Sequence, residues 1–124
     1  MAAPNIIAAT SVLGKTATVD LTTTSATEVL SNADASGKVF KVNTLIVANV
    51  DGTNAADITV SFYSEDNIGG TATPLCSTVS VPADASLVVI DRSTALYLEE
   101  DRSIGATAGT ASDLKIVCVY EEIS

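Results

Sequence analysis

The chain has 124 residues, enough for one domain that buries roughly two-thirds of its unfolded surface and too few for two cores. Hydrophobic residues make up 47% of it but aromatics only 4%, and Trp and His are both absent. Fifteen acids against six bases leave a formal net charge of −9. That argues against a nucleic-acid or anionic-membrane surface, since both demand clustered Lys and Arg.

Val, Ile and Thr are plentiful, and their branched Cβ suits a pleated surface better than a helix. Along the chain they form short alternating runs separated by turn residues. Residues 5–13 read as a first extended arm, and residues 15–22 as a strand that continues after Gly14. A short run at 27–30 is closed by the polar stretch SNADASG. Residues 38–50, KVFKVNTLIVANV, read as one central strand or as two strands bent at Asn43. Residues 57–64 alternate, with Ile58, Val60 and Phe62 on one face and Thr59, Ser61 and Tyr63 on the other. Gly69-Gly70 is expected to break the chain before a strand over 74–81. Pro82 ends that strand because it has no N–H to give a ladder. Further runs lie at 85–90, 95–98, 103–107 and 114–121.

Eight to ten short strands, with Gly, Asp, Asn and Pro at their joints, predict an all-β fold. The natural closure is an antiparallel β-sandwich, a jelly-roll being one form of it. Residues 1–13 form an extended N-terminal arm or first strand, and residues 14–124 a single β-sandwich domain.

No reaction centre emerges. Without His, the commonest general base is missing, and serine triads and Cys-His dyads go with it. Lys15, Lys38 and Lys41 have no Ser-x-x-Lys beside them, and Lys115 lies mid-strand. The stretch GATAGT (105–110) lacks the Lys-Ser/Thr ending of a phosphate loop. The acid groups Glu99-Glu100-Asp101 and Glu121-Glu122, and the pair Asp51 and Asp57, read as solvated loops and strand ends rather than carboxylate couples or calcium ligands. Cys76 and Cys118 sit in strand-like runs without redox or zinc spacing, and are expected to be reduced, buried hydrophobes. The expectation is a non-enzymatic protein with no catalytic residue, cofactor or metal. No apolar run reaches transmembrane length, and MAAPN lacks the basic start of a secretion signal.

The informative feature is surplus apolar surface. Only 17% of residues are charged, where about a quarter is usual. LIVANV (45–50) and IVCVY (116–120) carry apolar side chains at positions on both faces of a strand. A sandwich hides one face per strand, so the other calls for cover by a homo-oligomer or larger assembly. The candidate interface residues are Ile6, Ile7, Val12 and Leu13 of the arm, with Leu45, Val47, Val117 and Val119 from the strands. The arm suits strand addition to a neighbour, or is an ordinary first strand.

The segments GKVFKVNTLIVANVDGTNAADITVSFY (37–63), STVSVPADASLVVIDRSTALYLEEDRSIGATAG (77–109) and DLKIVCVYEEIS (113–124) cover well over half the chain. In them the sequence resembles the small virion structural proteins of tailed cyanophages and related aquatic bacteriophages. YLEEDRSIGATAG and the terminal YEEIS are the most particular phrases, and neither is a catalytic motif. The resemblance implies a place in the virion after assembly in the host cytoplasm, and the charge makes the outer capsid surface or the tail the expected place. The negative charge disfavours the DNA-filled interior. The expected role is a capsid decoration (cement) protein that clamps subunit junctions. Its partners would be other copies of itself, often as a trimer, and the major capsid protein or other virion proteins, with no nucleic acid and no membrane. Alternatives are a neck, collar, baseplate or fibre-attachment component of the tail, and a receptor- or glycan-binding module. The last is weakened because Tyr63, Tyr97 and Tyr120 all fall in strands.

Overall fold

The alternating runs become β-strands in the computed structural model, which describes residues 5–124. Nine lie among the described residues: β1 (Val12–Leu21), β2 (Thr27–Asn32), β3 (Val39–Asn49), β4 (Ala56–Glu65), β5 (Gly69–Val81), β6 (Ser86–Ile90), β7 (Leu96–Leu98), β8 (Arg102–Ala108) and β9 (Leu114–Ile123). Single 3-10 turns occupy Ile6–Ala8 and Arg92–Thr94.

Every pairing is antiparallel, and the pairs are nested. β1 meets β9, β2 meets β8, β3 meets β6 and β7, and β4 meets β5. The chain is thus one long hairpin rolled up until β9 also meets β3 and β8 also meets β4. The result is a five-stranded sheet, β1-β9-β3-β6 with β7 also on β3, facing a four-stranded sheet, β2-β8-β4-β5. This all-β sandwich has jelly-roll winding.

One apolar cluster spans the two sheets. Val42, Leu45, Val47 and Ile116 reach it from the larger sheet, and Ile58, Val60 and Ile104 from the smaller. Each such side chain, fully buried, contributes about 1.5–3 kcal/mol. The bend at Asn43 is a register shift between Val42 and Thr44 against β9. The extra residue lets both Val42 and Leu45 face inward although they are three positions apart.

Two expectations about glycine are corrected. Gly14 does not divide an arm from a strand, because β1 runs through it with Gly14 paired to Glu121. Val12 and Leu13 are therefore strand residues, and the arm ends before them; its residues 1–4 lie outside the described residues. Gly69-Gly70 likewise opens β5 rather than preceding it. The hairpin turn falls one step earlier, at Asn67 and Ile68, both with φ of +52°. A two-residue turn of that hand matches strand twist. Ile68 is β-branched and unsuited to positive φ. It is held there by an N–H bond to Ser103 Oγ (2.8 Å), while Asn67 N–H donates to Ser31 Oγ (2.9 Å).

Two buried asparagines tie strand ends across the sandwich. Asn32 Nδ2 donates to the carbonyls of Lys38 (2.8 Å) and Leu98 (3.0 Å), and its Oδ1 accepts from Ser36. Asn49 Nδ2 donates to the carbonyls of Asn54 (2.9 Å) and Val81 (3.0 Å), while Oδ1 accepts from Asp51 N–H. With their polar atoms satisfied, both lock loops instead of costing stability.

Candidate interaction surface

Register decides which side chains look outward. On β9, Leu114, Ile116 and Cys118 are buried, so the residues between them, Lys115, Val117 and Val119, point away from the core. Val117 lies between Thr18 of β1 and Ile46 of β3, and Ile46 pairs in turn with Val88 of β6. Val119 lies between Thr16 and Thr44. These two rows form a band of β-branched side chains across the outside of the five-stranded sheet. Val117 and Val119 are each 38% exposed and Val88 is 54% exposed.

Charged rows border the band. At one end Lys115 Nζ lies 3.0 Å from Asp20 Oδ2. At the other, Lys41 pairs in register with Glu121, whose Oε1 accepts from Asn43 Nδ2 at 2.9 Å. Beyond that row, Val39 and Ile123 are buried, and the N–H groups of Thr10 and Ser11 donate to the Ser124 carbonyl.

Of the predicted interface residues, Val117 and Val119 lie on this band. Val12 lies on the same face at its far end, and Leu13 on the opposite side of β1; both are exposed. Ile6 and Ile7 sit in the 3-10 turn before the strand, Ile7 94% exposed. Leu45 and Val47 are corrected: both are 0% exposed, deep in the core. Leu45 pairs with Cys118 and Val47 with Ile116, which face inward. In a strand the outward partner is one residue away, and here it is Ile46. Ile46, Val88, Lys115 and Glu121 were missed, although the alternation K-x-V-x-V-x-E over 115–121 stands in the sequence.

The acidic residues do not form a couple. Neighbouring strand positions send Glu121 outward and Glu122 the other way, where Lys15 (3.2 Å) and Lys38 (3.3 Å) grip its two oxygens. Burial pushes the Glu122 carboxyl up, but the hydrogen bonds and charges of these lysines outweigh it and hold it below its ordinary value. Asp51 caps its own loop, and hydrogen bonds from the Thr53 and Asn54 N–H groups hold its carboxyl low. Glu100 is buried, with Oε2 accepting from Gly37 N–H at 3.2 Å. Among the described residues, no three metal-ligating side chains converge, and no helix is long and apolar enough to cross a membrane. The chain's Ser-x-x-Lys spacing, Ser112 to Lys115, crosses a turn into β9, and its lysine is already paired with Asp20. Cys76 on β5 and Cys118 on β9 are both free thiols, on different sheets. Burial raises the Cys118 thiol to about 11.

No family profile matches the chain, and no curated protein matches it in sequence. Among solved structures it is similar to one from a study titled "Bacillus endospore appendages form a novel family of disulfide-linked pili", at 15% identity and a TM-score of 0.54. That match covers 92% of this chain and 88% of the other. A likeness at that identity speaks to the β-sandwich fold alone. A second match, to a structure of infectious bursal disease virus (Gx strain), covers 90% of this chain but 41% of the other. Its 11% identity and TM-score of 0.27 carry no argument.

Proposed function

We propose that this chain is a non-enzymatic structural protein of a tailed-phage virion, a decoration protein that binds the outside of the capsid shell at subunit junctions. The observation that carries the reading is the outward apolar surface: the exposed Val88, Val117 and Val119 with the half-buried Ile46 between them, and the exposed Ile6 and Ile7 before β1. Outward apolar side chains gathered on one sheet face mark a surface that a partner can cover. The net charge of −9 favours the outside of a particle over its DNA-filled interior. The fold itself is neutral, since jelly-rolls serve capsid and lectin domains alike.

The arm supplies the shell contact in this reading. Thr10 and Ser11 are held on Ser124, so the contact with a neighbour is assigned to residues before Thr10. Deleting residues 2–9 leaves all nine described strands whole and the melting transition unchanged, while cosedimentation with capsids is lost. Densitometry of purified virions adds the copy number. Hundreds of copies per particle support decoration, a handful moves the protein to the neck or tail, and none overturns a virion role.

A further inference from the structure

We infer that the band on the five-stranded sheet is covered by the same band of a second copy of this chain, with β9 lying antiparallel over β9 of its partner about a two-fold axis that crosses the strand between Val117 and Val119. The inference rests on the assembly reading above and names the occupant of one face.

Charge and symmetry together select the partner. The outward residues of β9 run Lys115, Val117, Val119, Glu121. Turning this row about an axis across its middle lays Lys115 over Glu121 of the partner and Val117 over Val119 of the partner. Both contacts then repeat by symmetry, as a two-fold interface requires. The neighbouring strands agree: Thr16 falls over Thr18 of the partner on β1, and Thr44 over Ile46 of the partner on β3. The other two-fold, with its axis along the strand, stacks Lys115 on itself and Glu121 on itself. Like charges so placed repel, so the pattern selects one orientation. In a chain of net charge −9, self-association needs a face where acids do not meet acids. This face carries two lysines, Lys41 and Lys115, against two acids, Asp20 and Glu121.

Between its charged rows the face spans residues 115–121 of β9 with their partners on β1 and β3, beside the short β6. With strands about 4.8 Å apart and a rise of about 3.4 Å per residue, that is on the order of 400 Å² per copy. Two copies bury about 800 Å², a weak interface, so the dimer forms at high concentration and dissociates on dilution. The β-branched side chains are stiff and lose little rotamer freedom on pairing.

Sedimentation velocity across a concentration series tests this, in an Asp20→Asn background that removes the partner Lys115 has within its own chain. Lys115→Glu and Glu121→Lys each weaken dimerisation about tenfold or more by setting like charges together. The double swap Lys115→Glu/Glu121→Lys exchanges the two ends and recovers most of the loss. Val117→Asp, which points outward and leaves the fold intact by circular dichroism, abolishes the dimer. A chain monomeric at every concentration overturns the inference, as does an oligomer indifferent to these variants. Capsid cosedimentation of the parent chain reads the decoration role separately: a monomer that binds capsids defeats only the two-fold, and a dimer that ignores them defeats only decoration.

Discussion

Ile46 faces Val117 across β3 and β9 on the outside of the larger sheet, one position along from Leu45 and Cys118, which face each other in the core. Adjacent residues of one strand therefore do opposite work. Leu45→Ala opens a cavity in a packed interior and lowers unfolding free energy by about 2–5 kcal/mol. Val117→Ala removes methyl groups already in contact with water and stays within about 0.5 kcal/mol. Urea melts of the two variants at a protein concentration that keeps the chain monomeric check the assignment of faces.

Glu122 fastens three strands, since Lys15 reaches it from β1 and Lys38 from just before β3. Its carboxyl lies below the ordinary 4.5, with burial opposing and the two lysines prevailing. A carboxyl lowered on folding adds stability above its unfolded value and loses it as pH falls through the folded value. Glu122→Gln therefore destabilises the chain at pH 7 and matches the parent well below pH 4.5. Both lysines are partly exposed, so screening limits the difference to about 1 kcal/mol. Thermal melts of parent and variant from pH 7 downward measure the convergence.

Gly105 lies in β8 under the turn residue Ile68. A Cβ there would stand 2.7 Å from Ile68 Cγ2 and 2.8 Å from Tyr63 Cε1. Both side chains are stiff, one β-branched and one aromatic, and Ile68 is already pinned at positive φ. Gly105→Ala costs about 1–3 kcal/mol by overpacking. Gly14→Ala, with nothing within 4 Å of the added carbon, is neutral or slightly stabilising by comparison. Paired denaturation curves test the contrast.

Thiol accessibility separates the two cysteines. Cys118 is fully buried and burial raises it to about 11, so at pH 8 it offers neither access nor thiolate. Cys76 lies half-buried on the edge strand β5. An aromatic disulfide reagent at pH 8 titrates one thiol rapidly in the native chain and a second only in denaturant.

Much of the architecture was legible because its signals are local. The absence of helical period, the alternation over residues 57–64, the stop at Pro82 and the bend at Asn43 all follow from side-chain branching and from the N–H that proline lacks. The glycine breaks at 14 and 69–70 were misplaced because glycine permits a turn without requiring one. At Gly14 the distant β9 decided for extension, whereas Gly69 pairs with Glu65 across the hairpin itself. The turn moved to Asn67 and Ile68, where serine hydroxyls from β2 and β8 hold a conformation that local propensity opposes. The candidate surface was half legible. Val117 and Val119 were placed outward, whereas Leu45 and Val47 were put on the wrong face, since β3 is apolar at successive positions and carries no phase of its own.

By itself, the amino-acid order determined the strand class, the approximate strand limits, the lack of a His-based reaction centre and the excess of apolar over charged residues. These depend on composition and on neighbours a few positions apart. Only the tertiary structure decided which side of β3 is inside, and that Lys115, Val117, Val119 and Glu121 line up beside Ile46 on one outer face. Pairing across seventy or more residues sets register, and one residue of register exchanges the two faces of a strand.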